Sequence, residues 1–379
     1  MLTRLLLQFM THFSEHNMEI KRTLKNTLCC ALAGVMLFGC TACGNKDDDE
    51  TTTLSSSEVQ STTELTTTKI ENMNPLTGLA GLSDEAMGTR PTAVVVENAA
   101  AARPQWGLST PDVLIEGLVE GGITRMLLLY SDVNEIPKVG PVRSARHDFV
   151  EIAECFDAIF VHCGWSTYAE KKIKADKVNN LNGIQSYSPQ FFYRDSSRAH
   201  KGTEHTGYTN GSYIKATVNA VDYRTDVKQG YANVFSFVSG VEYTPANTGK
   251  NVSFQYSSSA KYTMKYNADD GKYYTYLGSN ARKDANGVHL NYKNVLMLYC
   301  NVGSMGDSKG CVDMKLENAN TGYYFTNGGY EEISWTKTGS ASSSKLVIKR
   351  NNGETLTMNP GTTYIALVPT SQKSATSIA

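Results

Sequence analysis

The spacing of apolar residues changes near residue 222 and divides the chain into two regions. Before that point, apolar runs of strand length alternate with a segment whose apolar residues recur at helical spacing. Such alternation is typical of mixed α/β domains, so we predict one over residues 73–222. The predicted strands cover residues 92–97, 113–120, 125–130 and 158–162, and the predicted helix covers residues 147–156.

After residue 222 the chain becomes a series of short alternating segments separated by Asn, Gly, Asp and Ser. This pattern predicts a mainly antiparallel all-β domain over residues 223–370, as a sandwich or a partly open barrel. The two regions together predict an α+β fold class, and residues 371–379 are expected to form a disordered tail. The strands predicted here cover residues 234–238, 251–256, 261–267, 295–300, 331–336, 345–349 and 363–368.

The beginning of the chain has the pattern of an export signal. A basic segment precedes an uncharged run rich in Leu, Ala and Gly, as in the n-region and h-region of a signal peptide. We therefore predict that residues 1–43 are a signal peptide and that translation starts at Met18. The basic residues are Lys21, Arg22 and Lys25.

The end of this run resembles the lipobox of a lipoprotein, in which a cysteine is acylated. Cys43, preceded by Ala42 and followed by Gly44, is the expected lipidation site, and Cys40 is the alternative. Residues 44–72 are acidic and then rich in Thr and Ser, which predicts a disordered tether. Both this anchor and the alternative, an uncleaved transmembrane helix, predict a body on the extracytoplasmic face of the cell membrane.

Overall charge and cysteine usage narrow the possible partners. The formal net charge is -1 and the isoelectric point is about 6.7, so the chain lacks the basic character of nucleic-acid-binding domains. No cysteine or histidine spacing predicts a metal site, and no glycine-rich motif predicts a cofactor. In an exported protein the remaining cysteines either form disulfides or stay buried as thiols. They are Cys155, Cys163, Cys300 and Cys311.

Arginine is concentrated in the first region, where seven of the chain's twelve arginines lie between residues 90 and 198. The guanidinium fork suits carboxylate or phosphate, so this bias indicates an anion pocket or, alternatively, internal ion pairs. Within residues 139–148 a Gly-Pro turn leads into the predicted helix, with Ser144 as its expected N-cap. The candidate binding residues are Arg103, Arg125, Arg143, Arg146, Arg198 and His205.

Acidic and histidine side chains in the same region are candidates for acid–base chemistry. Glu116 and Glu120 lie four residues apart. On a strand this separates them by about 13 Å, too far for a glycosidase pair, whereas on a helix they would be neighbours. The apolar alternation favours the strand. The candidate catalytic residues are Asp112, Glu116, Glu120 and His147.

Several short motifs between residues 74 and 369 resemble the YerB-type lipoproteins, a bacterial family of unknown function with separate N- and C-terminal parts. The chain departs from that pattern at HCGW (162–165) and EHT (204–206). The resemblance implies an envelope lipoprotein and supplies no activity, catalytic residue or cofactor. It rests on NPLTG (74–78), RP (90–91), ARPQ (102–105), GLS (107–109), EGGITR (120–125), GPVRSAR (140–146) and NPG (359–361).

Two functions follow as hypotheses. The first is a non-enzymatic binding or regulatory module whose arginine-lined pocket holds a cell-wall glycan, a phosphate or an envelope protein partner. The alternative is an enzyme that acts on cell-wall glycan or on a wall polymer linked to polyprenyl pyrophosphate.

Overall fold

The computed structural model describes residues 71–185 and 191–379. The predicted signal peptide, both candidate lipidation cysteines and nearly all of the predicted tether lie outside the described residues. Within those residues, no helix is both long enough and apolar enough to cross a bilayer.

The described residues contain three α-helices: α1 (His147–Cys155), α2 (Thr167–Ala175) and α3 (Gly211–Ala220). The side chains of Ser166 and Asn210 cap α2 and α3 by accepting hydrogen bonds from main-chain amides of the first turn. The prediction that Ser144 caps α1 is wrong, because α1 begins at His147. Ser144 instead donates its hydroxyl to the Cys163 carbonyl (3.0 Å), and Arg146 holds the extended cap position without a side-chain bond.

The strands are numbered in chain order. Those before residue 222 are β1 (Thr92–Glu97), β2 (Val113–Leu118), β3 (Thr124–Tyr130), β4 (Ile159–His162), β5 (Asn180–Asn182), β6 (Tyr193–Arg194) and β7 (Gly207–Tyr208). The next eight are β8 (Ser236–Phe237), β9 (Asn247–Thr248), β10 (Asn251–Ser257), β11 (Ala260–Asn267), β12 (Lys272–Leu277), β13 (Asn280–Ala281), β14 (Asn291–Tyr292) and β15 (Asn294–Cys300). The last eight are β16 (Val302–Ser304), β17 (Val312–Met314), β18 (Asn320–Thr326), β19 (Gly329–Thr338), β20 (Lys345–Arg350), β21 (Thr357–Met358), β22 (Thr363–Pro369) and β23 (Ser377–Ile378).

One large sheet joins the two predicted regions. Its strand order is β20-β19-β18-β15-β22-β2-β3-β1-β4-β5, and β2 pairs in parallel with β22. Both strands are apolar along most of their length and buried, as expected of strands that are covered on both faces. The α+β fold class is confirmed, but the boundary predicted at residue 222 does not separate two sheets.

Each face of the large sheet has its own cover, because alternate residues of a strand point to opposite sides. Ala93 and Val95 of β1 pack in the cluster that contains Phe149 and Ala153 of α1. Val94 and Val96 pack in the cluster that contains Phe254 of β10, which belongs to a second sheet of order β13-β12-β11-β10-β23. The two faces of β1 therefore meet different surroundings.

The prediction of a disordered tail is wrong. Thr370–Ala375 form a 3-10 helix, and β23 pairs antiparallel with β10. Ala379 and Asn251 exchange main-chain hydrogen bonds of 2.7 and 2.9 Å. The polar composition suggested disorder, but ladder hydrogen bonds use only the main chain, so a polar segment can complete a sheet edge.

Candidate functional site

Glu97, the last residue of β1, is surrounded by three basic side chains. Its buried Oε2 lies 2.6 Å from Arg143 Nε and 3.4 Å from His205 Nδ1. Its Oε1 lies 3.9 Å from Nη2 of Arg125, the residue opposite Glu97 on β3. The Glu97 carboxylate is thus the shared neighbour of two arginines and of a histidine that can be protonated.

These contacts bring charges together without completing hydrogen bonds. Glu97 Oε2 and Arg143 Nε face each other at 2.6 Å without hydrogen-bond geometry, and together with Arg125 Nε and His205 Nδ1 they are four buried atoms that lack a hydrogen bond to any described residue. Buried polar atoms are nearly always hydrogen-bonded in folded proteins, so four exceptions around one carboxylate need an explanation. A bound polar group is one such explanation.

A second ion pair lies beside the first. Arg146 donates from Nε to Glu120 Oε1 (2.5 Å) and from Nη2 to Glu120 Oε2 (2.9 Å), a bidentate pair. Burial alone would raise the pKa of Glu120, but the hydrogen bonds and charge of Arg146 outweigh it and hold that pKa below its ordinary value.

The buried guanidinium of Arg125 connects the two pairs. Burial and the charges of Arg146 and Arg143 together lower the pKa of Arg125 to about 9, although the charge of Glu97 opposes the shift. Its Nη1 donates to the Ser144 carbonyl (2.8 Å). We call Arg125, Arg143, Arg146, Glu97 and Glu120 the arginine cluster, in which three arginines face two carboxylates.

The segment before α1 positions Arg143 and Arg146 beside the large sheet. Arg143 N donates to the Val95 carbonyl (3.0 Å), which ties the segment to β1. Gly140 allows the approach because its φ is 142° and a Cβ there would lie 2.6 Å from the Gly207 carbonyl oxygen. The Gly-Pro turn predicted from the sequence therefore positions the cluster.

Two of the predicted binding arginines have other partners. Arg198 donates to the carbonyls of Pro104 (2.9 Å) and Ala102 (2.6 Å). Arg103 donates from Nη2 to the Asn98 carbonyl (2.8 Å). Both hold the loop after β1 in place, so the structure does not bring them into the arginine cluster, whereas it does bring Arg125, Arg143, Arg146 and His205 around Glu97 and Glu120.

Glu116 lies in a closed network on the opposite face of the sheet. Its side chain is fully buried, and burial would raise its pKa, but Arg282 and the surrounding hydroxyls lower that pKa below its ordinary value. We call Glu116 and its partners the Glu116 network. The partners are Arg282 Nη1 (2.7 Å), Tyr262 OH (2.6 Å), Tyr364 OH (2.8 Å), Thr124 Oγ1 (2.5 Å) and Asn98 Nδ2 (2.8 Å).

The four candidate catalytic residues do not share a site. Glu116 lies on strand β2 as predicted, whereas Glu120 lies in the 3-10 turn Glu120–Gly122 that follows it. Asp112 accepts hydrogen bonds from Asn74 and Ser131, and burial raises its pKa. Each of the three carboxylates therefore has its own set of partners.

His147 has a different set of partners from those carboxylates. Its Nε2 is 3.4 Å from an oxygen of Asp148 and 3.4 Å from an oxygen of Asp313. Burial raises the pKa of Asp148 to about 7, and the nearby His147 opposes that shift.

Of the two alternatives for the cysteines of the body, the structure has free thiols: Cys155, Cys163, Cys300 and Cys311 form no disulfide with one another. Burial raises the pKa of Cys155 and of Cys300 to about 12. Thiols of this kind behave as small apolar side chains and react slowly.

A groove of about 1300 Å³ lies elsewhere, lined by parts of residues 71–91 and 227–239 with Ser131. Among the described residues that line it, the charged ones are Glu71 and Asp84. Volume alone does not identify a site, and we place the candidate site at the arginine cluster because charge and unpaired polar atoms converge there.

The sequence did not predict the central role of Glu97, of Arg282 or of Asp313. For Glu97 a signal existed, because a carboxylate ends the otherwise apolar strand 92–97 and must find a cation when buried. Arg282 and Asp313 lie far along the chain from their partners, in segments without a distinctive pattern.

Comparison with known proteins agrees with this fold. Residues 76–224 match the family described as "Protein of unknown function (DUF3048) N-terminal domain", and residues 252–365 match its "C-terminal domain". The chain is 33% identical over 300 residues to "Putative lipoprotein YerB" of Bacillus subtilis (strain 168), covering 78% of this chain and 86% of that protein. The crystal structure of YerB protein from Bacillus subtilis superposes with a TM-score of 0.67 at 29% identity, over 81% of this chain and 99% of that one. The predicted resemblance is confirmed, and the chain belongs to the DUF3048 family of proteins, the family of YerB.

Proposed function

We propose that this protein is a lipid-anchored binding module of the cell envelope that holds an anionic group at the arginine cluster. The anchor is the acylated Cys43, or Cys40 in its place, and residues 44–72 hold the body off the extracytoplasmic face of the membrane. The name of the relative from Bacillus subtilis, a lipoprotein, supports this location. The anionic group is a phosphate or carboxylate of a cell-wall glycan, a lipid-linked precursor or an envelope protein.

The observation that carries the proposal is the incomplete pairing around Glu97. Within the cluster three arginines face two carboxylates, and the exposed Glu204 lies 3.9 Å from the adjoining His205. Four buried polar atoms of the site and of His205 have no hydrogen bond to a described residue. Arginine stays protonated across the physiological range, so the excess positive charge cannot be removed by titration. A bound anion supplies negative charge and acceptors for the arginine donors, whereas Glu97 Oε2, itself an acceptor, needs a donor.

Arg143 is the group expected to contact the anion. Its side chain is 30% exposed, and only Nε faces Glu97. Neither Nη atom hydrogen-bonds a described residue, so that edge of the fork is free for two parallel bonds to phosphate or carboxylate. Arg146 already uses two nitrogens on Glu120, and its role is to fix the position of the site.

The enzyme hypothesis has less support from the same geometry. General acid–base catalysis needs groups within hydrogen-bond reach of one substrate. Asp112, Glu116, Glu120 and His147 each face different partners, and Glu116 is sealed inside its network. A binding role needs no such convergence.

Isothermal titration calorimetry tests the proposal on the full chain in non-ionic detergent. Inorganic phosphate, pyrophosphate and soluble wall-glycan fragments are titrated separately. We expect at least one to bind with a Kd below about 1 mM, and Arg143→Lys to weaken it about tenfold, because lysine keeps the charge and loses the fork.

The matched control is Arg224→Lys. Arg224 is 41% exposed and pairs with both oxygens of Asp157, outside the arginine cluster. Its replacement should leave the affinity unchanged. Absence of binding for every anion at millimolar concentration would reject the small-anion site and leave a protein partner as the ligand to test.

A further inference from the structure

Three possible metal ligands meet at the start of α1, two from the helix itself and one from a distant part of the chain. His147 and Asp148 occupy the first turn, and Asp313 comes from β17 in the hairpin β16–β17. One ligand atom from each of the three residues lies within 4.8 Å of the others. The sequence predicted no metal site because Asp313 lies 166 residues from His147.

The distances from His147 to both carboxylates fit a shared metal ion, and the two carboxylates offer ligand atoms within 4.8 Å of each other. His147 Nε2 is 3.4 Å from Asp148 Oδ1 and 3.4 Å from Asp313 Oδ1. With metal–ligand bonds of about 2.1 Å, two ligand atoms of a tetrahedral site are about 3.4 Å apart. Little rearrangement would be needed to place an ion between these atoms.

We propose that His147, Asp148 and Asp313 bind a divalent transition-metal ion, of the Zn²⁺ or Mn²⁺ class. One imidazole and two carboxylates suit these ions better than Mg²⁺ or Ca²⁺, which prefer oxygen ligands alone. Asp313 is 23% exposed and His147 is 13% exposed, so water reaches the outer side of the site and completes the coordination.

An unpaired buried atom supports the site independently. Asp148 is only 1% exposed, and its Oδ1 accepts a hydrogen bond from the Met314 amide (2.8 Å). Its Oδ2 is buried and has no hydrogen-bond partner in the part of the chain that the structure describes. A buried carboxylate oxygen without a donor is costly, and a bound cation would supply the missing partner.

Lys315 offers a way to distinguish a metal site from a simple ion-pair cluster. Its ammonium group contacts Asp313 Oδ2. This charge repels a cation bound nearby, so removing it should strengthen metal binding. In a cluster that binds no metal, the same removal would only break an exposed ion pair.

The test is calorimetric titration of Zn²⁺ and, separately, Mn²⁺ into the full chain after removal of metal with a chelator, with metal content measured by mass spectrometry. We expect one ion per chain. Asp313→Asn should weaken binding by on the order of 100-fold, since even residues that support metal ligands indirectly change affinity 10- to 100-fold. Lys315→Met should strengthen it several-fold.

Glu170→Gln is the control, because the carboxylate of Glu170 in α2 pairs with the exposed Lys174 and does not belong to the proposed metal site, so its removal should not affect binding. Circular dichroism of each variant verifies folding, and Asp313, at the surface hairpin, allows the test even where Asp148→Asn fails to fold. No binding of either ion at 1 mM, or equal affinity in wild type and Asp313→Asn, overturns the proposal. Neither result bears on the anion site, whose ligands and variants are different.

Discussion

Glu97 and Glu116 are both buried carboxylates on strands that pair with β3, yet they lie on opposite faces of the large sheet and have different surroundings. Glu97 faces Arg125 across the ladder and Glu116 faces Met126, so the two side chains point to opposite faces. The second sheet covers Glu116 with tyrosines and Arg282, and every oxygen is satisfied. The helix face covers Glu97 with arginines whose hydrogen bonds are incomplete.

The comparison shows how a structural ion pair differs from a candidate binding site. In the Glu116 network one buried arginine meets one buried carboxylate, and hydroxyl groups occupy the remaining acceptor positions. In the arginine cluster the numbers of cations and carboxylates differ, and part of Arg143 reaches solvent. The Glu116 network and the arginine cluster therefore differ in how many charged groups they contain and in how exposed those groups are, rather than in residue type.

A third region has the opposite imbalance. Lys172 of α2 faces three carboxylates: Glu151 (3.4 Å), Glu154 (3.9 Å) and Asp176 (2.8 Å). Burial, a hydrogen bond to Asp176 and the other acidic charges raise the pKa of Glu154 to about 8. Excess negative charge can be removed by taking up a proton, whereas excess arginine charge cannot, so of these two regions it is the arginine cluster that calls for an external partner.

The largest expected loss of stability follows from a substitution in the Glu116 network. Arg282→Ala leaves Glu116 buried without its cation and should lower the free energy of unfolding by about 3 to 5 kcal/mol. Urea denaturation measures it. Arg224→Ala, at a pair with one exposed partner, should cost no more than about 1 kcal/mol. Equal losses in the two variants would mean that the network is not closed.

The acidic region gives the next largest effect. The folded chain holds a proton on Glu154 that the unfolded chain releases, because the pKa rises from 4.5 to about 8 on folding. The free energy of unfolding should therefore fall as pH rises from about 4.5 to 8. Each pKa unit corresponds to about 1.4 kcal/mol, so Glu154→Gln should stabilise the protein by on the order of 2 to 3 kcal/mol at pH 8.5.

Urea denaturation at pH 4 and pH 8.5 measures this difference. Glu170→Gln replaces a carboxylate at an i,i+4 pair on the surface and serves as the comparison. If Glu154→Gln and wild type lose stability equally between the two pH values, Glu154 is not the proton-binding group.

A smaller loss of stability is expected when the Arg146–Glu120 pair is broken. Its side chains are 15% and 19% exposed, so Arg146→Ala should cost about 1 to 2 kcal/mol, less than loss of a fully buried partner. A double-mutant cycle with Glu120→Ala isolates the pair energy. A loss as large as that of Arg282→Ala would place this pair with the structural networks.

The smallest effect on stability is expected for Arg143→Lys, alone or with Arg146→Lys. Charge is retained and one partner is near solvent, so thermal unfolding should stay within roughly 0.5 kcal/mol of wild type. The stabilisation that pyrophosphate gives to wild type should disappear, since only binding to the folded state produces it. A large fall in melting temperature without any anion would identify Arg143 as a structural residue.

Much of the secondary structure could be predicted because it depends on local periodicity. The apolar run at residues 92–97 predicted both ends of β1 correctly, and the helical spacing predicted that α1 begins at His147. Helices α2 and α3 and strands β12 and β18 were missed, since their polar residues obscure the apolar pattern. The concentration of arginine also indicated which region holds the candidate site.

The sequence by itself determined the α+β class, the family and the arginine-rich region, because these depend on composition, period and short motifs. Only the tertiary structure decided which charges meet. Glu116 and Arg282 lie 166 residues apart, and β2 joins β22 across the predicted domain boundary. Such contacts depend on strand order and on which face of the sheet each side chain occupies, and a shift of one residue in register would reverse that face.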